Sequence, residues 1–387
     1  MERIRIGDAC DILNGYAFKS DKYVEKGIRV IRIANVQKGY IEDNAPVFYP
    51  LDFSGLEKYM LEEGDLLMSL TGNVGRVALI QRNMLPAALN QRVACLRLRS
   101  NRITKGFLFH ILNSDLFEQQ CVQASNGVAQ KNMSTEWLRD YEIPLYSMEE
   151  QLKITEILDK TRRIIDLRNY ELSVLDDLIK ARFVEMFGDP VCNPLRWEKK
   201  TLKEVCIKLN DGTHFSPESF ETGEYKYVTA KNIKMSGFDF TNITYVPEEV
   251  HRPIYERCNP ELGDVLYIKD GVTTGIAMVN TLEEEFTLLS SVALLKQDRR
   301  IMNGHFLSAL LNDENMYTDI RSNMGGAAIT RLTIAKLNTI KVILPPIELQ
   351  TQFAAFVEQT NKSKAVIQKA LDKTQLLFDS LMQKYFG

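Results

Sequence analysis

The chain has 387 residues, enough for two or more domains, and its 45% hydrophobic and 26% charged content is ordinary for a soluble globular protein. No apolar run reaches membrane-spanning length, Met1-Glu2-Arg3 opens into polar sequence rather than a signal peptide, and the six cysteines include no CxxC pair. That argues against membrane, secretory and ordinary zinc or redox classes, and a reducing cytoplasm is expected. The formal net charge of −3 would argue against a polyanion partner, but the charge is segregated. Residues 66–114 hold no acid yet carry Arg76, Arg82, Arg92, Arg97, Arg99, Arg102 and Lys105; residues 320–347 hold Arg321, Arg331, Lys336 and Lys341, again with no acid. Basic faces on a near-neutral chain point to a local polyanion footprint.

Taken in order, residues 1–148 read as a first globular unit. RIRIGDACDILNG predicts a short strand and a helix ending at Gly15. IRVIRIANV (28–36) alternates and is rich in β-formers, so it predicts a strand leading to Asn35. Residues 62–80 predict turn, strand, glycine loop, strand, with the loop from Gly72 to Gly75. Residues 88–99 predict another strand and 104–121 a helix, followed by a polar loop and a helix or turn at 136–141.

A long helix is expected over 149–188, with Leu158, Ile165, Leu172, Leu175 and Ile179 on an apolar seam at heptad spacing. Gln151, Arg168 and Arg182 fall on the same seam positions. About 37 helical residues make a rod of roughly 55 Å.

The whole order then repeats. Residues 189–347 form a second unit in which YKYVTAKNI (225–233) matches IRVIRIANV, and Gly263, Gly271 and Gly275 match Gly64, Gly72 and Gly75. A second helix, 348–387, carries Val357, Ile367, Leu371, Phe378 and Leu381 on its seam. Gln151 and Gln350, Thr161 and Thr360, Phe187 and Phe386, and Gly188 and Gly387 are each 199 residues apart. With no further domain to reach, the second helix can bury its seam only by folding back along the first. The expected fold class is α+β: two similar globular domains joined by two long helices in an antiparallel coiled coil, with an internal repeat of about 199 residues.

These features resemble the specificity subunit of type I restriction–modification systems, over essentially the whole chain. The motifs that carry the resemblance are GDLLMSLTGNVG (64–75), GDVLYIKDGVTTG (263–275), DGTHFSP (211–217), IPLYSMEEQ (143–151) and ILPPIELQ (343–350), each weak alone and strong in this repeated order. The sequence departs from the tidy pattern at Tyr146-Ser147, where the second copy has Pro345-Pro346, and at the seam arginines. The resemblance implies two target-recognition domains, each reading one half of a bipartite double-stranded DNA sequence. It implies helices that set the spacer and dock two DNA adenine methyltransferase subunits, and it allows a nuclease/translocase subunit to join.

The residues themselves offer no catalytic apparatus. There is no GxGxxG, no NPPY- or DPPY-like tetrapeptide and no Gly-Lys pair, and Glu198-Lys199-Lys200 only faintly mimics a nuclease motif. No cofactor, metal or membrane partner is expected. Base reading needs donors and acceptors on exposed loops. The candidates in the first unit are Asn35, Gln37, Lys38, Ser69, Thr71, Asn73, Asn90, Gln91, Arg92, Gln130, Lys131 and Asn132. In the second they are Thr213, His214, Lys231, Asn232, Lys234, Lys269, Asp270, Thr273, Thr274, Ser290, Ser291 and Arg331. Any one of them can equally be a turn cap or a solvated loop residue. Two other readings stay open: a coiled-coil scaffold with protein-binding ends, which would ignore DNA, and a fused modification or cleavage enzyme, which would bind its own cofactor.

Overall fold

The computed structural model describes residues 2–125, 132–322 and 331–387. They form two compact units, Met1–Asn169 with Lys369–Gly387 and Tyr170–Gln368. Each unit includes part of two 40-residue helices, Met148–Phe187 and Ile347–Phe386. Neither helix contains an internal glycine or proline, so nothing interrupts it.

In the first unit, strand Glu2–Arg5 pairs antiparallel with Glu142–Leu145, the strand that leads into the long helix. The helix expected next is only one turn, Ile6–Ala9, before strand Cys10–Asn14. Cys10 and Ile12 point inward at a period of two, and that pairing pattern outweighs local helix propensity. A four-stranded antiparallel sheet follows in the order Cys10–Asn14, Val93–Leu98, Leu66–Ser69, Val77–Leu79. The run expected as one strand over 88–99 is two, Ala87–Leu89 and Val93–Leu98, and the first joins a smaller sheet with Ile28–Ile31 and Phe48–Tyr49. The helix expected over 104–121 breaks at Ser114, whose hydroxyl accepts from Phe117 N at 3.2 Å and caps a second helix, Asp115–Ala124.

The main sheet is buried on both faces, which explains why Leu66–Ser69 lacks polar alternation. Leu66, Met68, Ala94 and Leu96 pack toward helix Lys105–Leu112 and its neighbours. Leu67, Ala78, Val93 and Cys95 pack on the other side with Ile31, Ala87 and Leu89.

The second unit repeats this topology with Cys206–Asp211, Val292–Gln297, Val265–Ile268 and Ala277–Val279 in the large sheet, and Thr244–Val246, Tyr225–Val228 and Thr287–Leu288 in the small one. It adds a hairpin, Ile233–Lys234 with Gly237–Phe238, and a helix, Glu248–Arg257.

Within each unit the two long helices run antiparallel. In the first, Ile154, Leu158 and Phe386 share a core with Phe378, Leu381 and Met382, while Tyr146 Oη donates to Tyr385 O at 3.3 Å. Farther along, Arg168 Nη1 donates to Ala370 O and Thr374 Oγ1. This seam arginine replaces an apolar layer by bonding the neighbouring helix. In the second unit, Phe183 and Phe187 pack with Phe353, Val357 is buried beside them and Ile179 half-buried. Arg182 lies over the Phe356 ring at 5.9 Å and pairs with Glu185. Ile165 and Leu371 are buried, and Leu172, Leu175 and Ile367 are half-buried.

Gln151 and Gln350 are fully buried, but as tethers rather than packing residues. Gln151 accepts from Thr104 N at 2.8 Å and donates to Arg102 O and Tyr146 O, each at 2.9 Å. Gln350 accepts from Asn303 N at 2.9 Å and donates to Ile301 O and Pro345 O at 3.0 and 2.8 Å. Each glutamine clamps the start of a long helix onto its own globular domain.

Candidate nucleic-acid interface

The glycine loop, the turn after the short parallel strand and the segment before the last short helix converge at one end of each main sheet. Backbone bonds fix that convergence. In the first unit Leu70 N donates to Arg92 O at 3.0 Å, Met133 N to Leu70 O at 2.9 Å, and Gln91 N to Tyr16 O at 3.0 Å. In the second, Lys269 N donates to Ser291 O at 2.9 Å, Leu332 N to Lys269 O at 2.8 Å, and Ser290 N to Thr213 O at 2.8 Å. Isolated bridges join Thr71 to Asn132 and Asp270 to Arg331. The chain comes this close only because glycine precedes Tyr16 and Thr213. A Cβ on Gly15 would lie 2.2 Å from Asn90 C, and one on Gly212 would lie 1.9 Å from Leu288 O. Gly75 and Gly275, at φ +82° and +112°, close the two loops in the left-handed region.

The side chains mounted on this frame differ. In the first unit Ser69 is buried: its Oγ donates to Asn73 O and accepts from Arg76 N. Arg76, absent from the candidates above, bonds Gln37 Oε1, while Gln37 Nε2 reaches Glu42 Oε2 at 3.1 Å. Thr71 is half-buried, and its Oγ1 has no partner among the described residues. Asn73, Gln91, Arg92 and Asn132 are exposed and Asn90 half-buried. No carboxylate pairs with Arg92 among the described residues.

In the second unit the same end is charged. Lys269 is buried, its Nζ 2.9 Å from Asp270 Oδ2 and 3.4 Å from Asp211 Oδ2. Arg331 Nε stands 3.2 Å from Asp270 Oδ1, and Arg257 and His214 approach Asp211 Oδ1 at 3.5 and 3.2 Å. Thr213 is buried and bonds Phe215 O; Thr274 is buried and bonds Gly271 O. Lys231, Lys234, Thr273 and His214 are exposed, and Ser290 and Ser291 half-buried. Ser291 Oγ accepts from Ala230 N at 3.3 Å.

Residues 1–176 and 194–374 match the family described as the type I restriction modification DNA specificity domain. The chain belongs to this family. Over 216 residues it is 32% identical to the specificity subunit of the type I restriction enzyme EcoAI of Escherichia coli, which covers 54% of this chain and 32% of that one. Over 416 residues it is 23% identical to the EcoBI specificity subunit of Escherichia coli, covering 99% and 85% of the two chains. In fold it is similar to the type I restriction–modification S subunit from M. genitalium, with a TM-score of 0.62 at 16% identity over 100% of this chain and 96% of that one. Both relatives are named as specificity subunits of type I restriction enzymes. No helix of the described residues is long and apolar enough to cross a membrane.

Several expected contacts of a type I specificity chain are otherwise engaged here. Asn35 and Asn232 are buried turn caps: Asn35 accepts from Arg32 N at 2.9 Å and donates to Glu42 O, and Asn232 accepts from Thr229 N at 3.0 Å and donates to Asp239 O. Ser69, Thr213, Lys269 and Thr274 are buried in the same way and hold the frame rather than face solvent. Lys38 binds Asp115 and Glu118 at 2.6 and 2.8 Å; burial opposes its charge, but those two bonds hold its ammonium above the usual lysine range. Gln130 and Lys131 lie outside the described residues.

The acid-free stretch is also less basic in space than in sequence. Asp65 takes Arg97 in a two-pronged pair at 2.6 and 2.9 Å, Asp11 takes Arg99 at 3.3 Å, and Glu2 takes Arg102. Arg76, Arg82, Arg92 and Lys105 remain without an ion-pair partner among the described residues. His110 is buried against Asp159 at 2.7 Å and serves structure.

Proposed function

We propose that this chain is the DNA-sequence-specificity subunit of a type I restriction–modification complex in the cytoplasm. Residues 1–148 and 189–347 each read one half of a bipartite target, and helices 149–188 and 348–387 set the spacer between the halves. One observation carries the reading: the same hydrogen-bonded frame occurs twice, yet the side chains displayed on it differ, as two readers of two sequences require. Arg92, Gln91, Asn73 and Asn132 are the reading groups of the first unit; Arg331, Lys231, Thr273 and His214 are those of the second. Two methyltransferase subunits dock on the long helices. In support, Ile157, Ile164 and Leu167 of the first helix are 41%, 43% and 51% exposed in one unit, and Val174 and Leu178 are 43% and 45% exposed in the other. These positions recur at helical spacing off the buried seam, which is unusual for a helix that meets only one partner.

The test is co-expression with the partner methyltransferase subunits followed by mapping of methylated adenines. The expected motif is bipartite, and exchanging residues 1–148 for those of another family member should change one half and leave the other. An exchange that altered both halves would defeat independent reading.

A further inference from the structure

The buried charges of the second unit do more than stabilise a loop, because they decide which way an exposed arginine points. Arg331 is 59% exposed at its side chain, yet its Nε is anchored 3.2 Å from Asp270 Oδ1, as an ion pair rather than an aligned hydrogen bond. With Nε anchored and the side chain largely exposed, the Nη1 and Nη2 fork makes no hydrogen bond among the described residues. Asp270 is in turn held from beneath by Lys269, which is 2% exposed and shared with the buried Asp211. Lys269 also offsets the Asp270 charge, which would otherwise repel a phosphate backbone. The backbone of Arg331 is fixed to Asp270 by a bridge, so both ends of the arginine are constrained.

An arginine fork presented end-on matches the N7 and O6 acceptors of guanine in the major groove, and no other base edge offers two acceptors in that spacing. We infer that Arg331 reads a guanine in the half-site of the second unit, with Asp270 and Lys269 as its positioning residues. The inference rests on the DNA-reading function proposed above. The first unit has Asn132, Thr71 and Leu70 at the matched places, so its half-site is read there without an anchored arginine.

The complete complex with methyltransferase subunits provides the test, read as methylated motifs for the native chain, Arg331→Ala, Asp270→Ala and Lys269→Met. Arg331→Ala should relax one fixed G·C pair of one half-site, by about 10- to 100-fold in preference, and leave the other half-site sharp. Asp270→Ala keeps the arginine but frees it, so the same pair should relax, by a smaller factor. Asp270→Asn, whose amide oxygen still faces Nε, should restore much of the preference, a rescue that a merely structural loss would not show. Lys269→Met should behave as Asp270→Ala does, wherever its complex still methylates. If Arg331→Ala weakens all sites alike and lowers the salt dependence, the fork contacts phosphate and the inference fails. It fails equally if the half-site of the second unit holds no fixed G·C pair. Absence of any bipartite motif with the native chain would instead remove the underlying reading of function, and this inference with it.

Discussion

The two loop clusters share a backbone and differ in charge. Where strand Cys10–Asn14 ends beside Ala94, the first unit has Asn14; the register places Asp211 beside Ala293 in the second. Leu70, Thr71 and Asn132 likewise give way to Lys269, Asp270 and Arg331. The change is made as a set. A lysine in the place of Leu70 would be a buried cation without a counterion, and an aspartate in the place of Asn14 would lack its lysine. The lesson is that the frame draws its stability from backbone bonds and glycine contacts common to both units. Its side chains can then be exchanged in self-consistent groups. The proposed reading of two different half-sites needs that separation.

The largest expected effect tests whether the charged set is interdependent. Lys269→Met strands Asp211 and Asp270 without their shared buried cation and should cost about 3 kcal/mol of stability. Leu70→Met, at the matched place in the neutral unit, is volume-conserving and should cost less than about 1.5 kcal/mol. Adding Asp211→Asn to Lys269→Met should recover much of the loss, a coupling that urea unfolding of the four chains of the cycle measures. A cost below about 1 kcal/mol for Lys269→Met would mean that the set is not a unit.

The next effect tests the likeness rather than the difference. Gln151 and Gln350 make the same three bonds, 199 residues apart, each to buried or part-buried backbone groups. Replacing either by Ala leaves those groups without partners and should cost about 1–3 kcal/mol. The two losses should agree to within about 0.5 kcal/mol, because the environments are copies. Unequal losses in urea unfolding would show that the repeat does not extend to its energetics.

Much of this architecture is legible in the residues. The offset, the uninterrupted helices and the glycine loops follow from periodicity and from backbone demands that act over a few positions. What escaped reading depends on partners far along the chain. Lys269 looks like a loop donor until Asp211 is seen beneath it, and Arg97 looks basic until Asp65 is paired with it. Asn35 and Asn232 are a different case, because each amide caps a backbone N–H three residues earlier, within reach of local inspection. Their recurrence in both units was a signal for a turn, not for base contact. Arg168 and Arg182 broke the seam pattern in sequence, and the structure resolves each by a contact that no heptad count contains.

The smallest effect tests the likeness of the two units in acid. His110 and His305 each sit under a long helix, the first 2.7 Å from Asp159 and the second 3.7 Å from Glu358. Burial lowers both imidazole pKa values, and the carboxylates opposite oppose that shift without cancelling it. With Asp159 ionised, a neutral His110 must carry its proton on Nε2 and donate it. In the unfolded chain both histidines titrate near their ordinary value of 6.5. Below that pH the unfolded chain takes up protons that the folded chain refuses, so stability is full above about 6.5 and declines as the pH falls toward the lowered folded values. Replacing each histidine by glutamine keeps a donor for the carboxylate and removes the titration. Melting temperatures from pH 7.5 to 5 should therefore fall less steeply for His110→Gln and for His305→Gln than for the native chain. Equal steepness in all three would mean that burial of these imidazoles does not govern the acid limb.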